Sequence, residues 1–239
     1  MSSDEVSPGP VLILPHGDPV AGELVTAIRG GDLTSLKRLV ADRPELASAR
    51  MIGRNGSEGG WRTALHVTAD WPGYFPAAPD SVLRLLLSAG ADPNDDTGGD
   101  RPETPLQWAA STDDLEVAEA LIGGGARLNT PGGSIGTPLD NAVGYGCWHV
   151  ARLLVDSGAT VAKPWHAAAL GLIDPLVELL GDDPEPETLS QPFWQRAPGR
   201  NAAPPSTCSA AAQTPTGCPT TPMAHPWTRR AAPAPDERT

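Results

Sequence analysis

Five histidines (His16, His66, His149, His166 and His225) and three cysteines (Cys147, Cys208 and Cys218) are the first candidates for acid–base, nucleophilic or metal chemistry in this chain. A nucleophilic cysteine needs a base held beside it. Cys147 precedes Trp148 at the expected start of a helix, nothing fixes a histidine next to it, and packing accounts for it better. Cys208, Cys218 and His225 lack the paired C-x-x-C spacing of a zinc site. His149 and His166 fall on expected helices, where a satisfied structural histidine is the commoner role. His16-Gly17-Asp18 reads as a turn before the first helix. The adjacent carboxylates Asp113 and Asp114 sit at a helix turn and favour the helix that follows, rather than forming an acid–base pair. Asp95, Asp96 and Asp100 lie in a loop without the ligand spacing and closing Glu of a calcium loop. Gly132 to Gly136 precedes a helix, but no P-loop lysine follows. There is no G-x-S-x-G, H-E-x-x-H or dinucleotide fingerprint. The residues point to no enzyme, no metal and no cofactor.

The elements that would position these side chains are short helices in pairs. Glu103 to Asn129 is the clearest pair. Thr104 supplies a capping hydroxyl and Pro105 suits the first turn, where its missing N–H is no loss. Ala109 and Ala110 allow close packing. Leu115, Val117, Ala118, Leu121 and Ile122 form an apolar stripe at helical spacing, and Gly123-Gly124-Gly125 ends the second helix. Such a pair cannot bury its own apolar faces and needs neighbours. Thr104-Pro105-Leu106 recurs as Thr137-Pro138-Leu139, a period of 33, and Thr63-Ala64-Leu65-His66 stands 41 residues before Thr104. The helix exit recurs at Leu86 to Asn94, Leu121 to Asn129 and Leu153 to Ala159.

A period of 33 with T-P-L-H near its start and G-A-D-x-N near its end resembles the ankyrin repeat. The resemblance, to a bacterial-type ankyrin array, implies an all-α solenoid of stacked helix-turn-helix units with finger loops. The expected boundaries are a disordered segment at 1–19, an array of about five repeats and the start of a sixth at 20–195, and a disordered Pro/Ala-rich tail at 196–239. Glu23 to Ile28 and the stripe Leu33, Leu36, Leu39 and Val40 make a capping first repeat, followed by a hairpin-like finger from Arg50 to Gly60. The second repeat departs from the family pattern by an insertion, Trp71 to Pro79, between its helices; it carries Tyr74 and Phe75, read as local packing. The fifth is degenerate, with Pro164 to Ala169 as its first helix and Ile173, Leu176, Leu179 and Leu180 striping its second. Asp182 to Glu187 is a connector, and Leu189 to Gln195, with Phe193 and Trp194, opens a sixth repeat.

The pattern then stops. Residues 196–239 hold no Leu, Ile or Val, and net charge changes from −15 over residues 1–195 to +3 over 196–239. A shifted reading frame in mid-repeat produces such a change. Read one base earlier with GC-favoured codons, Gln195 to Ala232 yields a leucine pair, a G-A-D-P-N exit and a G-T-P-L-D start, so the tail looks like a frame-shifted repeat.

The resemblance also implies a function: a non-enzymatic protein–protein interaction scaffold that binds another protein on its concave face, built from first helices and finger tips. Carried over residue by residue, the partner-binding positions are Val67, Asp70 and Trp71, then Trp108, Ser111 and Thr112, then Asn141 and Tyr145, beside Gly144. Trp71, Trp108 and Tyr145 would form a ladder of aromatics; for Trp108 the other reading is packing against a neighbouring finger. His66 would make a structural hydrogen bond between repeats. Two other readings stand beside the scaffold: an enzyme or small-molecule binder using the 71–79 insertion, and a truncated frame-shifted product without its own function. The net charge of −12 argues against nucleic acid and anionic membranes and favours a basic partner. Without an apolar run of membrane-spanning length or a signal-peptide core, a cytoplasmic location is expected.

Overall fold

Three helix starts in this chain have one construction. In each, a threonine hydroxyl accepts the N–H of the residue three places on, and that residue's side chain bonds back to the threonine N–H. This capping box satisfies two backbone donors that a helix start otherwise leaves unpaired. Thr63, Thr104 and Thr137 thereby open α3 (Ala64–Ala69), α5 (Pro105–Thr112) and α7 (Pro138–Tyr145). The computed structural model describes residues 11–53, 60–70 and 79–181. The expected disorder of residues 1–10, the insertion with Trp71, Tyr74 and Phe75, the connector, the sixth repeat and the 196–239 tail lie outside those residues.

The remaining helices are α1 (Pro19–Gly30), α2 (Leu33–Asp42), α4 (Pro79–Ser88), α6 (Leu115–Gly123), α8 (Trp148–Asp156), α9 (Pro164–Leu170) and α10 (Ile173–Leu180). They stack in two rows. The first helices α1, α3, α5, α7 and α9 each contact the next, as do the second helices α2, α4, α6 and α8, while α10 packs on α9. This is the all-helical repeat architecture expected. Leu65, Leu106 and Leu139, the third residues of the three Thr motifs, are fully buried. Each such leucine contributes about 1.5–3 kcal/mol, against roughly 1 kcal/mol net for one hydrogen bond. Apolar burial therefore holds the rows together, and the polar links set their register.

The N-terminal boundary differs from the expected residue 20. Ile13–Leu14 forms β1, which pairs in parallel with β2 (Arg50–Ile52), and β2 pairs antiparallel with β3 (Trp61–Arg62). Leu14 enters the core, and the Arg50 N–H donates to the Leu12 carbonyl at 2.9 Å. Asp18 then caps α1 by accepting from the N–H of Val20 and Ala21. The expected hairpin-like finger corresponds to β2 and β3; Arg50 of β2 makes a bidentate pair with Asp95 of the next finger at 2.8 and 3.1 Å.

Asp113 has a role that its sequence neighbourhood does not display. It has φ +56, in the left-handed region where the equivalent turns of other repeats use Gly31, Gly146 and Gly171. Its side chain crosses to the next repeat: one carboxylate oxygen accepts from the N–H of His149 and Val150, and the other lies 2.7 Å from His149 Nδ1. The residue at the local N-cap of α8 is Cys147, whose side chain makes no cap bond. Asp113 thus caps a helix 35 residues away. Asp113→Ala should lower the unfolding free energy by about 1–2 kcal/mol, and Asp113→Gly should lower it less, because glycine relieves the left-handed backbone while losing the same cap. Urea unfolding of both variants measures the difference.

Candidate functional site

The residue ending each Thr motif joins its repeat to the next. His66 Nδ1 accepts from the Thr63 N–H at 3.2 Å and lies 2.9 Å from the Thr63 hydroxyl. That leaves Nε2 as the ring donor, and it lies 2.9 Å from the Glu103 carbonyl of the third repeat. Gln107 repeats the pattern: Oε1 accepts from the Thr104 N–H and hydroxyl, and Nε2 donates to the Gly136 carbonyl at 2.6 Å. At Asp140 the polarity reverses, because a carboxylate has no proton to give. Its Oδ2 accepts from the Thr137 N–H and hydroxyl, while Oδ1 accepts from Lys163 Nζ at 2.5 Å and His166 Nε2 at 2.9 Å, both in the fifth repeat. Gly136 makes room: a Cβ there, at φ +141, would fall 2.3 Å from Asp140 Oδ2. Among the described residues His166 Nδ1 is buried without a hydrogen-bond partner, and Lys163 stands where the other motifs have threonine.

These bonds set the electrostatics. Burial pushes the His66 pKa down to about 4, opposed in part by the Glu103 carbonyl. Burial alone would raise the Asp140 pKa, but hydrogen bonds from His166 and Lys163 hold it well below the usual carboxylate range. Burial pushes the Cys147 thiol up to about 11, which leaves it protonated at neutral pH and a poor nucleophile. Two of the candidate histidines and the described cysteine are thus buried in the repeat stack.

The expected partner-binding residues separate. Val67 and Asn141 do not point outward: they are 3% and 1% exposed. Asn141 Nδ2 donates to the Gln107 carbonyl at 3.2 Å, so it is spent on the contact between α5 and α7. This position faces the neighbouring repeat, and only a long side chain there reaches the surface. Trp108, in the same register, is such a side chain. Its indole N–H donates to Glu103 Oε2 at 3.1 Å, its ring meets His66 edge-on at 5.1 Å, and the Arg62 guanidinium lies 5.9 Å from its centre. It remains half-buried, so the packing reading and the surface reading each describe part of it. Ser111 and Thr112 are half-buried further along α5, with hydroxyls returned to α5 carbonyls. Tyr145 is half-buried at the end of α7, in register with Thr112 rather than Trp108. The aromatics of the expected ladder therefore occupy different rows, and Trp71 lies outside the described residues.

Asp70 is half-exposed, and one of its oxygens accepts from both Arg29 at 3.3 Å and Arg62 at 2.9 Å. Sequence reasoning missed Arg29, Arg62 and Glu103. Arg62 directly precedes the Thr63 motif, which was an available signal; Arg29 meets Asp70 only because α1 and α3 pack side by side. Among the described residues, no helix is long and apolar enough to cross a membrane.

His66 generates a pH dependence. In the unfolded chain it titrates near 6.5, and in the fold near 4. Its contribution to stability is therefore complete above about pH 6.5 and lost as pH falls towards 4, a change of about 3 kcal/mol. Chemical unfolding at a series of pH values should show this loss, and His66→Gln should abolish it while retaining the fold, because Gln107 already makes the equivalent bonds. Asp140, with a lowered pKa, loses its contribution only below the ordinary carboxylate range. Lys163→Met should cost roughly 3 kcal/mol at neutral pH by leaving a buried carboxylate short of a cation, and guanidinium titrations would measure it.

Residues 65–164 match the family model for ankyrin repeats, in three copies. No curated protein matches the chain. The match spans α3 to the start of α9, the segment in which the Thr motifs and their inter-repeat bonds recur, so that this segment is similar to ankyrin repeats.

Proposed function

We propose that this chain is a non-enzymatic scaffold that binds another protein across its row of first helices. Ankyrin repeats are generally protein–protein interaction modules. The observation that carries the reading here is the state of Trp108. It is held by Glu103, His66 and Arg62, yet part of it remains exposed, so its side chain is ordered before any partner arrives. Aromatic side chains ordered in advance lose little entropy on binding, and this is why they recur at interface hot spots. Asp70, Ser111, Thr112 and Tyr145 extend the half-exposed surface along α3, α5 and α7. The potential catalytic groups in the described array favour the same reading. His66 and His166 spend ring nitrogens on inter-repeat bonds, and Cys147 is a buried thiol.

Proximity labelling in cells with the full chain would identify partners. Ser111→Arg and Tyr145→Ala alter this surface, the second with loss of a half-buried ring, and each should reduce recovery of a genuine partner by about tenfold. Recovery unchanged in both variants, with unfolding curves matching the parent, would remove this face from consideration. Trp108→Ala is less informative alone, because it also leaves the Glu103 carboxylate without its indole donor.

A further inference from the structure

The small N-terminal sheet ends on an open edge, since β1 stands last in the order β1-β2-β3. Neighbouring parallel strands bond through alternate residues. Ile13 is in register with Arg50 and Leu14 with Met51, and the Arg50 N–H donates to the Leu12 carbonyl. This register turns the Leu12 carbonyl and the backbone of Leu14 towards β2. The N–H and C=O of Ile13 therefore face away from the sheet, and among the described residues neither has a hydrogen-bond partner. The far strand is covered, because the Trp61 N–H donates to the Thr97 carbonyl at 2.7 Å. Side chains alternate between the two faces of a strand. Leu14 and Met51 enter the core, while Ile13, Arg50, Ile52 and Trp61 share the opposite face, with Ile13 61% exposed. Together with Pro15 they line a hollow of about 380 Å³. Its walls are set in advance. Asp95 holds the Arg50 guanidinium through two bonds, 4.5 Å from the centre of the Trp61 ring. Gly98, at φ +61, has no Cβ to collide with that ring.

The geometry points to a strand-addition site: an extended segment of another protein pairs antiparallel with β1 and lays an aromatic side chain, opposite Ile13, into the hollow. The backbone decides the class of occupant. One donor and one acceptor offered by an extended residue are complementary to another extended backbone, whereas a helix spends its backbone groups on itself. Residues directly opposite each other in an antiparallel pair put their side chains on the same face. The residue opposite Ile13 therefore projects on the side of Ile52 and Trp61, and an aromatic ring there reaches over Ile13 where a short side chain does not. Val11, two places earlier and 41% exposed, receives an apolar side chain from the same face of the added strand. Charge agrees with this. Arg50 is the one cation lining the hollow and Asp95 already meets it, so the entering group is uncharged. A second copy of this chain fits less well. Pro10 and Pro15 bracket Val11–Leu14, so β1 against β1 joins four residues a side, against roughly 20–30 a side in a stable interface. Two chains of −12 also repel. This site is separate from the first-helix row and stands or falls independently of it.

The test uses the full chain and a labelled synthetic peptide with phenylalanine and valine two places apart, among threonines and between terminal lysines. By fluorescence anisotropy, N-methylation of the phenylalanine amide should weaken binding by about tenfold, because it removes the donor to the Ile13 carbonyl and leaves the protein untouched. Serine in place of that phenylalanine, or Ile52→Ser in the protein, should weaken it by about tenfold. Ile13→Pro removes an N–H that faces away from the sheet, and proline is tolerated on an edge strand. It should weaken binding while urea unfolding stays close to the parent's, and Tyr145→Ala should leave binding unchanged. Hydrogen exchange read by NMR should show the Ile13 amide becoming protected as the peptide saturates. No binding of the peptide would overturn the proposal. Binding indifferent to N-methylation, with the Ile13 amide unprotected, would overturn it in favour of a pocket for an apolar group alone. Sedimentation showing a dimer that dissociates in Ile13→Pro would overturn it in favour of a contact between copies.

Discussion

One side chain per internal repeat does two jobs at once. His66, Gln107 and Asp140 each close the capping box of their own first helix and bond to the repeat that follows. Local and long-range structure are therefore coupled in a single rotamer. If the helix start frays, the link to the next repeat is lost, and if the next repeat separates, a buried polar atom is left unpaired. A second rail runs along the finger roots, where Asn94 bonds to the backbone of Gly125 and Arg127, and Asn129 accepts from the Thr160 N–H. Neither rail supplies most of the stability, which comes from the leucine and alanine core. They decide which neighbour sits where.

The three linking residues are chemically different, and the difference is absorbed next door. His66 and Gln107 donate to a carbonyl, but Asp140 can only accept, so the fifth repeat must bring donors. Lys163 replaces the capping threonine there and His166 turns its Nε2 to the carboxylate. The fifth repeat's departures from the pattern look like decay in isolation. Beside Asp140 they are the complement that a buried carboxylate requires. Among the described residues the Nδ1 of His166 has no hydrogen-bond partner, and the hydroxyl that serves His66 is missing there.

The same dual use leaves His66 unsuited to general-base chemistry. A general base needs a free lone pair near its working pH. His66 has both nitrogens engaged and a pKa pushed down to about 4 by burial. Asp113 shows the cost of that arrangement. It accepts a backbone conformation natural to glycine and in return caps the next repeat across the turn.

The order of elements was legible in the sequence because its signals are local. A threonine, a proline, an apolar stripe and a glycine exit act within a few residues, so Thr104-Pro105-Leu106 and Gly123-Gly124-Gly125 bracket a helix pair without reference to anything distant. The structural role of His66 was what the family resemblance implied, and that of Cys147 followed from the lack of a histidine held beside it. Which first-helix residues face outward did not, since α3, α5 and α7 are flanked on both sides: Val67 and Asn141 were expected on the surface and are enclosed by neighbouring helices. The strand at Ile13–Leu14 was also invisible, because two residues become a strand only when Arg50 and Met51 arrive beside them. The sequence by itself determined the repeat, its period and its caps, all properties of contiguous residues. Only the tertiary structure decided the pairing of Asp140 with Lys163 and His166 and the reach of Asp113 to α8, because each depends on the stacking of units that contiguous residues do not encode.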